Sequence, residues 1–182
     1  MKKNLVYIIC RIRDRALAYW RRKEFESYTG QKTENFQVLG KVYYRNPHVH
    51  VGKNVTLFPG VMFQGTGTIF IGDNTYIEND TIIYSEEGYD VHIGNNCMIA
   101  GQCYIINTDH KTDTDVLMTK QGTVSENIII EDNVWLAGNV TVLKGSHIQE
   151  GCVIGAKALV RGKTETNGIY VGIPAKLLKK RE

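Results

Sequence analysis

The chain has 182 residues, 42% of them apolar and 23% charged, which is typical of a single soluble domain with a hydrophobic core. Its net charge of +3 is uneven, because residues 1–23 carry eight Lys or Arg against one Asp, so that the remainder is acidic at −4. An acidic body argues against nucleic-acid binding, and no apolar run reaches the ~18–20 residues of a membrane span.

The first predicted element is a helix over residues 3–25, followed by a polar linker at 26–37, so that residues 1–37 form an N-terminal unit. Arg11, Arg15 and Arg22 lie on its polar side. The apolar face either packs on the body, where Leu5, Ile8, Ile12 and Trp20 would cap an open end, or packs on a neighbouring subunit, or lies on an anionic membrane surface at the inner face of the membrane. We favour the cap. The apolar and aromatic residues at helical spacing are Leu5, Ile8, Ile9, Ile12, Ala16, Tyr19 and Trp20.

From residue 38 to the C terminus the chain is predicted to form one β domain, in which apolar residues recur every six positions. The register slips at 63–70 and 85–92, and an excursion without hexad character spans 111–129. The cleanest block is 130–165, which reads IEDNVW, LAGNVT, VLKGSH, IQEGCV, IGAKAL and VRGKTE. A period of six fits neither a helix nor a simple strand.

Three hexads close a triangular coil, and stacked coils form a parallel β-helix. We predict an all-β, left-handed parallel β-helix of five to six coils, with the N-terminal helix and a short helical tail at the C terminus. Asn, Asp and Gly in the middle of the hexads, as in Asp73-Asn74 and Asn95-Asn96, supply corners with positive φ.

The cysteines predict neither a metal site nor disulfides. No CxxC spacing occurs, and Cys97, Cys103 and Cys152 take the fifth hexad position, which packs inside, so we interpret them as core thiols. A reducing cytoplasm is then the simplest compartment, and we expect no signal-peptide cleavage after the N-terminal segment.

A dense polar cluster, NTDHKTD, stands where the excursion begins. His110 is the ionisable base of this cluster, and a neutral imidazole can take the proton of an attacking hydroxyl or amine. A stacked prism has a filled interior, so we expect function on its faces, on the excursion or between subunits.

Three stretches together resemble the hexapeptide-repeat acyltransferases, in particular their galactoside, maltose and polysaccharide O-acetyltransferase branch. They are IGNNCMIAGQCYIINTDH (93–110), IIIEDNVWLAGNVTVLKGSHIQEGCVIGAKALVRG (128–162) and GIPAK (172–176). The resemblance implies a left-handed β-helix, a homotrimer and acetyl-CoA bound between subunits. It also implies that His110 is the general base for direct transfer from acetyl-CoA, without an acyl-enzyme, onto a sugar or polysaccharide hydroxyl.

The same resemblance implies residues for both substrates. Gly138 replaces a Ser that is frequent in related sugar acetyltransferases, and Arg161-Gly162 replace Thr-Lys, for which Lys163 can supply the charge. The implied CoA contacts are Ala100, Trp135, Gly138, Ala156, Arg161, Lys163, Lys176 and Lys179. The candidates on the acceptor side are Asp80, Tyr84, Glu87, Asn107 and Asp109.

Two alternatives stay open at this point. One is an N-acetyltransferase acting on an amino sugar, or a serine or antibiotic acetyltransferase. The other is a metal-dependent β-helix protein of the γ-carbonic anhydrase type, which would need His92, His110 and His147 to converge on zinc. The acetyltransferase interpretation predicts no resident metal.

Overall fold

A computed structural model describes residues 5–182, which form one N-terminal helix and a parallel β-helix. Helix α1 spans Leu5–Thr29, four residues beyond its predicted end, and residues 3 and 4 of the predicted helix lie outside the described range. The parallel β-helix is confirmed, and its coils follow one another along the chain as the six-residue period predicts.

The first three coils each contain three strands. Coil 1 holds β1 (Gln37–Val38), β2 (Tyr43–Tyr44) and β3 (Val49–Val51). Coil 2 holds β4 (Thr56–Leu57), β5 (Met62–Gly65) and β6 (Thr68–Ile71). Coil 3 holds β7 (Tyr76–Ile77), β8 (Ile82–Ser85) and β9 (Asp90–Ile93).

The fourth coil carries the excursion. It holds β10 (Met98–Ile99) and β11 (Tyr104–Ile106), then a hairpin of β12 (Thr108–His110) and β13 (Thr123–Ser125), then β14 (Ile128–Ile130). A 3₁₀ turn at Met118–Lys120 lies near the hairpin tip. The excursion predicted over 111–129 therefore ends earlier, because Ile128 and Ile129 already pair with β9 as part of the coil.

The last coils complete the prism. Coil 5 holds β15 (Trp135–Leu136), β16 (Thr141–Val142) and β17 (His147–Ile148). Coil 6 holds β18 (Val153–Ile154) and β19 (Leu159–Val160), with Lys163 bridged to His147. They are followed by β20 (Gly168–Val171) and β21 (Lys176–Lys180).

The strands form three faces. Face A contains β1, β4, β7, β10, β15, β18, β20 and β21, face B contains β2, β5, β8, β11, β16 and β19, and face C contains β3, β6, β9, β14 and β17. The faces meet at three edges, which we call the A–B, B–C and C–A edges in the order in which the chain turns them. The excursion leaves at the B–C edge of coil 4.

The corners of the prism explain why the hexads tolerate so many Asn and Asp residues. Asn54, Asn74, Asn96 and Asn133 occupy the C–A edge of successive coils, each with φ between 56° and 57°. The Asn54 amide donates to Asn74 Oδ1 at 2.8 Å, and Asn74 donates to Asn96 Oδ1 at 3.2 Å. The side chain thus provides both the left-handed turn and a hydrogen bond to the next coil.

The interior is filled by aliphatic residues and by small side chains in the fifth hexad position. Leu136, Ile148 and Ile154 are buried, and so are the three predicted core thiols, Cys97, Cys103 and Cys152. Burial raises the pKa of Cys97 and Cys103 to about 11, so these thiols stay protonated near neutral pH.

The N-terminal end of the prism is covered, but by residues other than the predicted ones. Phe25 is fully buried and packs on Phe36 and Tyr44, with ring centroids 4.7 and 5.6 Å apart. The Gln31 side chain accepts a bond of 2.9 Å from the Val51 N–H and donates to the Val51 carbonyl, pairing the open strand edge. The prediction that Leu5, Ile8, Ile12 and Trp20 form the cap is wrong, because all four are exposed.

The C-terminal tail also differs from prediction, because it is a strand where a short helix was expected. β21 pairs antiparallel with β20 and so continues face A. The side chains of Lys176, Lys179 and Lys180 are exposed there. Charged side chains on an edge strand discourage pairing with a further chain, which explains why a lysine-rich segment closes this sheet.

Candidate active site on the B–C edge

The excursion is an ordered hairpin rather than a loose loop. Thr108 pairs with Ser125 and His110 with Thr123, and the buried hydroxyls of Thr108 and Ser125 lie 2.8 Å apart. Near the tip, the Gln121 side chain accepts a bond from the Asp113 N–H and donates to the carbonyls of Asp113 and Val116. These bonds hold His110 at a defined place outside the prism.

Asn107 fixes the point where the hairpin leaves the coil. It is fully buried, its Oδ1 accepts a bond of 2.8 Å from the Glu86 N–H, and its Nδ2 donates to Ser85 Oγ at 3.2 Å. Its carbonyl also accepts the N–H of Glu126 at 3.1 Å. Asn107 therefore ties the hairpin to coil 3. Its predicted contact with the acceptor does not fit the structure, because the amide is buried and already makes hydrogen bonds within the protein.

His110 lines a cavity of about 720 Å³ beside the hairpin. The cavity is open to solvent, and the imidazole is exposed on its wall. A base in this position can reach a molecule bound from outside the prism, which no interior residue can. The lining residues are Asp109, His110, Lys111, Thr112, Asp113, Val124 and Lys144.

Lys144 is a residue that sequence reasoning missed. It lies at the B–C edge of coil 5, one coil after the excursion, and its side chain is only 18% exposed. Its ammonium lies 3.7 Å from a carboxylate oxygen of Asp109 and 3.4 Å from one of Glu126. Lys144 thus joins the two ends of the hairpin base, and its third position in the hexad VLKGSH places it on a corner beside the excursion.

A smaller cavity of about 260 Å³ continues along the same edge towards coil 6. Asp109 and Lys144 line both cavities, and Arg161 lines the second. Gly145, the residue after Lys144, has a φ of 71°, and an added Cβ there would lie 2.7 Å from a Glu126 oxygen. The edge thus presents two cations, of which Lys144 shares the first cavity with His110 and Arg161 lines the second.

The small residues predicted to contact CoA form a column on another edge. Ala100, Gly138 and Ala156 all lie at the A–B edge, in coils 4, 5 and 6, one residue (Ala100) or two residues (Gly138 and Ala156) after the face A strands. A Cβ added at Gly138 would meet only the Gly101 carbonyl oxygen, at 3.7 Å, so the surface there is open. Trp135, 43% exposed, lies beside this column on face A.

The cationic candidates do not gather in one place within a single chain. Arg161 lies at the B–C edge, Lys163 lies on face C next to His147, and Lys176 and Lys179 lie on β21 of face A. The A–B column is separated from His110 by the width of face B, about six residues at ~3.3 Å each, or roughly 20 Å.

The acceptor candidates divide in the same way. Tyr84 and Glu87 lie at the B–C edge of coil 3, one coil from the hairpin, and Tyr84 is in register with Ile106. The Tyr84 hydroxyl donates to Glu86 Oε2 at 3.0 Å, and burial, followed by this hydrogen bond, raises the pKa of Tyr84. Asp80 lies on the A–B edge instead, with φ of 58°, where it serves as a corner residue.

The histidines do not converge. His92 and His147 share a column on face C, separated by Ile129, whereas His110 lies on the hairpin. His147 pairs with Glu131 at 2.5 Å, and this bond, followed by one from the Glu150 N–H, lowers the pKa of Glu131. Within residues 5–182, no group of three or more His, Cys, Asp or Glu side chains is placed to hold a metal ion.

Comparison with known families gives a match over the most regular part of the prism. The family model described as bacterial transferase hexapeptide (six repeats) matches residues 127–162. This segment contains β14 to β19 and includes both Lys144 and Arg161.

Three curated relatives extend the match to most of the chain. WbbJ of Escherichia coli K12, named as a lipopolysaccharide biosynthesis O-acetyl transferase, is 31% identical over 79% of this chain and 84% of its own length. Galactoside O-acetyltransferase of the same organism is 30% identical over 93% of this chain and 78% of its own. A protein of Mycobacterium tuberculosis named as an acetyltransferase is 34% identical over 74% of this chain, which spans 43% of that longer protein.

Solved structures with the same fold are more distant in sequence. A variant of AntD, an N-acyltransferase from Bacillus cereus in complex with dTDP-4-amino-4,6-dideoxyglucose and coenzyme A, matches with a TM-score of 0.74 at 18% identity over 89% of each chain. A hexapeptide-repeat acetyltransferase of Vibrio cholerae, complexed with acetyl-CoA, matches with a TM-score of 0.61 at 23% identity over 92% of this chain and 78% of its own. With relatives at 30% identity or more over most of their own length, the chain belongs to the hexapeptide-repeat acetyltransferase family.

Proposed function

We propose that the protein is an acetyl-CoA-dependent O-acetyltransferase that acts on a sugar or polysaccharide hydroxyl, with His110 as the general base. The observation that carries this proposal is the exposed imidazole of His110, held by an ordered hairpin on the wall of a 720 Å³ cavity. The names of WbbJ and galactoside O-acetyltransferase support a sugar acceptor. The complexes of the V. cholerae enzyme and AntD support a CoA thioester as donor.

The reaction needs one base and no covalent enzyme intermediate. The acceptor oxygen attacks the thioester carbonyl while His110 takes the hydroxyl proton, and collapse of the tetrahedral intermediate releases the CoA thiolate, which receives the proton. The core thiols take no part, because Cys97, Cys103 and Cys152 are buried. Asp109, Tyr84 and Glu87 at the B–C edge are the remaining acceptor candidates, since Asp109 and Glu87 are exposed and Tyr84 is partly exposed.

The donor side requires a second subunit in this proposal. The column of Ala100, Gly138 and Ala156 offers an open strip along which a pantetheine chain can lie, but it is about 20 Å from His110 within one chain. A homotrimer solves this, because the B–C edge of one subunit can face the A–B edge of the next. Lys144 and Arg161 on one side and Lys176 and Lys179 on the other then offer cations for CoA phosphates.

The experiment is an acetyl-transfer assay on the purified protein with acetyl-CoA and panels of sugars, nucleotide sugars and lipid-linked glycans. CoA release is followed with a thiol reagent, and the signal of the protein alone is subtracted, because Cys10 is partly exposed although the other three cysteines are buried. We expect turnover with a hydroxyl acceptor and an O-acetyl product that mild base hydrolyses. A base-stable N-acetyl product from an amino sugar would show that the acceptor group is an amine and not the proposed hydroxyl. Hydrolysis of acetyl-CoA without any acetylated product would refute the function.

Oligomeric state is tested separately by sedimentation of the same preparation. The proposal predicts three chains per particle and activity that disappears on dilution below the dissociation range. A fully active monomer would contradict the shared site.

A further inference from the structure

The first four turns of α1 carry an apolar surface that the prism does not cover. Leu5, Ile12 and Trp20 are 69%, 63% and 67% exposed, although all three are large apolar side chains. Ile8 and Ile9 lie between them on the same face and are also exposed. We define these five residues as the α1 stripe. A contiguous exposed apolar patch on a soluble chain indicates a binding surface.

The α1 stripe points away from the prism. Successive residues of a helix turn by about 100°, so Phe25, which anchors α1 to the prism, lies about 200° from Leu5. Phe25 is the buried residue of the helix and contacts Phe36 and Tyr44 at the first coil. Phe25 thus anchors the C-terminal part of the helix to the prism, while the α1 stripe, on the opposite side of the helix, is exposed to solvent.

Cationic side chains border the α1 stripe. Arg11 and Arg15 lie along one margin, Arg13 along the other, and all three are exposed. Residues 5–23 together hold six Lys or Arg and one Asp, in contrast to the acidic remainder of the chain. An apolar stripe with basic margins fits an interface that offers acyl chains below and negative headgroups above.

The helix does not suit a transmembrane role. Among residues 5–182, no helix has the length and hydropathy needed to cross a bilayer. An amphipathic helix of this kind lies in the plane of the interface instead, with its apolar side chains among the upper acyl carbons.

We propose that α1 binds the surface of an anionic lipid bilayer through the α1 stripe and through Arg11, Arg13 and Arg15. The contact would hold the prism at a membrane surface. The inference goes beyond the proposed function and does not depend on it, since it concerns residues remote from His110.

The test is co-sedimentation of the full-length protein with vesicles, without acetyl-CoA or acceptor. Vesicles of phosphatidylglycerol and phosphatidylcholine are compared with vesicles of phosphatidylcholine alone. We expect binding to the first and much weaker binding to the second, together with loss of binding at high salt. Equal binding to both vesicle types, or no binding to either, would overturn the proposal.

Matched variants locate the contact. Ile12→Ser, in the α1 stripe, should lower the partition coefficient about tenfold or more, since burying such a side chain contributes ~1.5–3 kcal/mol. Leu17→Ser is the control, because Leu17 is 41% exposed on the same helix but lies about 140° from Ile12. Arg11→Gln with Arg15→Gln should cost roughly 25-fold, at about fivefold per basic residue.

Two outcomes decide against the lipid. Equal loss with Ile12→Ser and Leu17→Ser would show that the stripe is not the contact. A second copy of the chain is the other occupant that such a stripe fits, and sedimentation without vesicles reports it. If Ile12→Ser lowers the particle mass and vesicle binding is absent, the stripe pairs subunits and the lipid proposal fails.

Discussion

The regular coils and the hairpin of residues 108–125 follow different rules of construction. In coils 5 and 6, apolar residues at six-residue spacing are buried and each strand pairs in register with the next coil. In the hairpin the pairing is antiparallel, and most side chains between residues 109 and 124 are exposed. The coils therefore supply rigidity, and the segment that departs from the repeat carries the proposed general base and the cavity beside it.

The largest effect is expected at the hairpin, where His110→Ala should lower the acetyl-transfer rate ~10²–10⁴-fold, the usual loss for a general base. Because His110 is exposed, the melting temperature should hardly change. The measurement is the steady-state rate of CoA release together with thermal unfolding. His50→Ala, an exposed imidazole on face C of coil 1, is the control and should retain activity. A His110→Ala enzyme with the wild-type rate would remove the mechanism.

The opposite result is expected in the prism. Leu136→Ala deletes a fully buried side chain in coil 5 and should cost ~2–5 kcal/mol in the free energy of unfolding. Because a domain of this size loses about 2–4 °C per kcal/mol, the melting temperature should fall by roughly 4–20 °C. Activity at a temperature well below the transition should remain close to wild type. A loss of rate without a loss of stability would contradict the division between a stabilising prism and a hairpin that carries the proposed base.

A smaller effect on both properties is expected where hairpin and coil meet. Asn107→Ala removes a fully buried side chain and leaves the partly buried N–H of Glu86 without its acceptor, which should cost about 1–3 kcal/mol. The hairpin should loosen, so the rate should fall as well. Asn127→Ala is the control, since the side-chain Oδ1 of Asn127 also accepts a hydrogen bond from a backbone N–H, that of Asp90, but at an exposed position. Chemical denaturation of both variants checks the difference, and equal losses would contradict the anchoring role.

The smallest effect is expected from Lys144→Met. Its two ion pairs involve exposed carboxylates, so stability should change by no more than ~1 kcal/mol. The rate should fall several-fold through altered placement of the hairpin, and Lys144→Arg should restore it. Lys53→Met is the matched control, because Lys53 holds the same hexad position and pairs with exposed Glu34 at 3.0 Å in coil 1. A lowered rate that Arg fails to restore would argue against positioning by charge.

Sequence periodicity predicted the regular part of the fold because each hexad satisfies its own coil. The apolar first position and the small fifth position are filled locally, and Asn74, Asn96 and Asn133 take the positive φ that the corners need. The same reasoning failed where an element's partner is distant along the chain. β21 pairs with β20, and a segment of lysines and leucines has no period that distinguishes such an edge strand from a short helix.

The site was predictable only in part for the same reason. His110 was predicted from the family resemblance and from its place where the repeat stops, whereas Lys144 belongs to a regular hexad and gave no signal apart from its place after the excursion. Asn107 and Asp80 were polar residues near a predicted site, but the structure uses one as a buried anchor and the other as a corner. Composition alone cannot separate these uses, because they depend on which coil lies next to the residue.

The most direct test of the account is chemical rescue of His110→Gly with imidazole. Removal of the side chain leaves the 720 Å³ cavity open to solvent, so free imidazole can occupy the position of the missing base. The account predicts that the acetyl-transfer rate of the variant rises with imidazole concentration and saturates, while the wild-type rate does not respond. A variant that binds acetyl-CoA normally but stays inactive at every imidazole concentration, or one that is as active as wild type without it, would contradict a general base at residue 110.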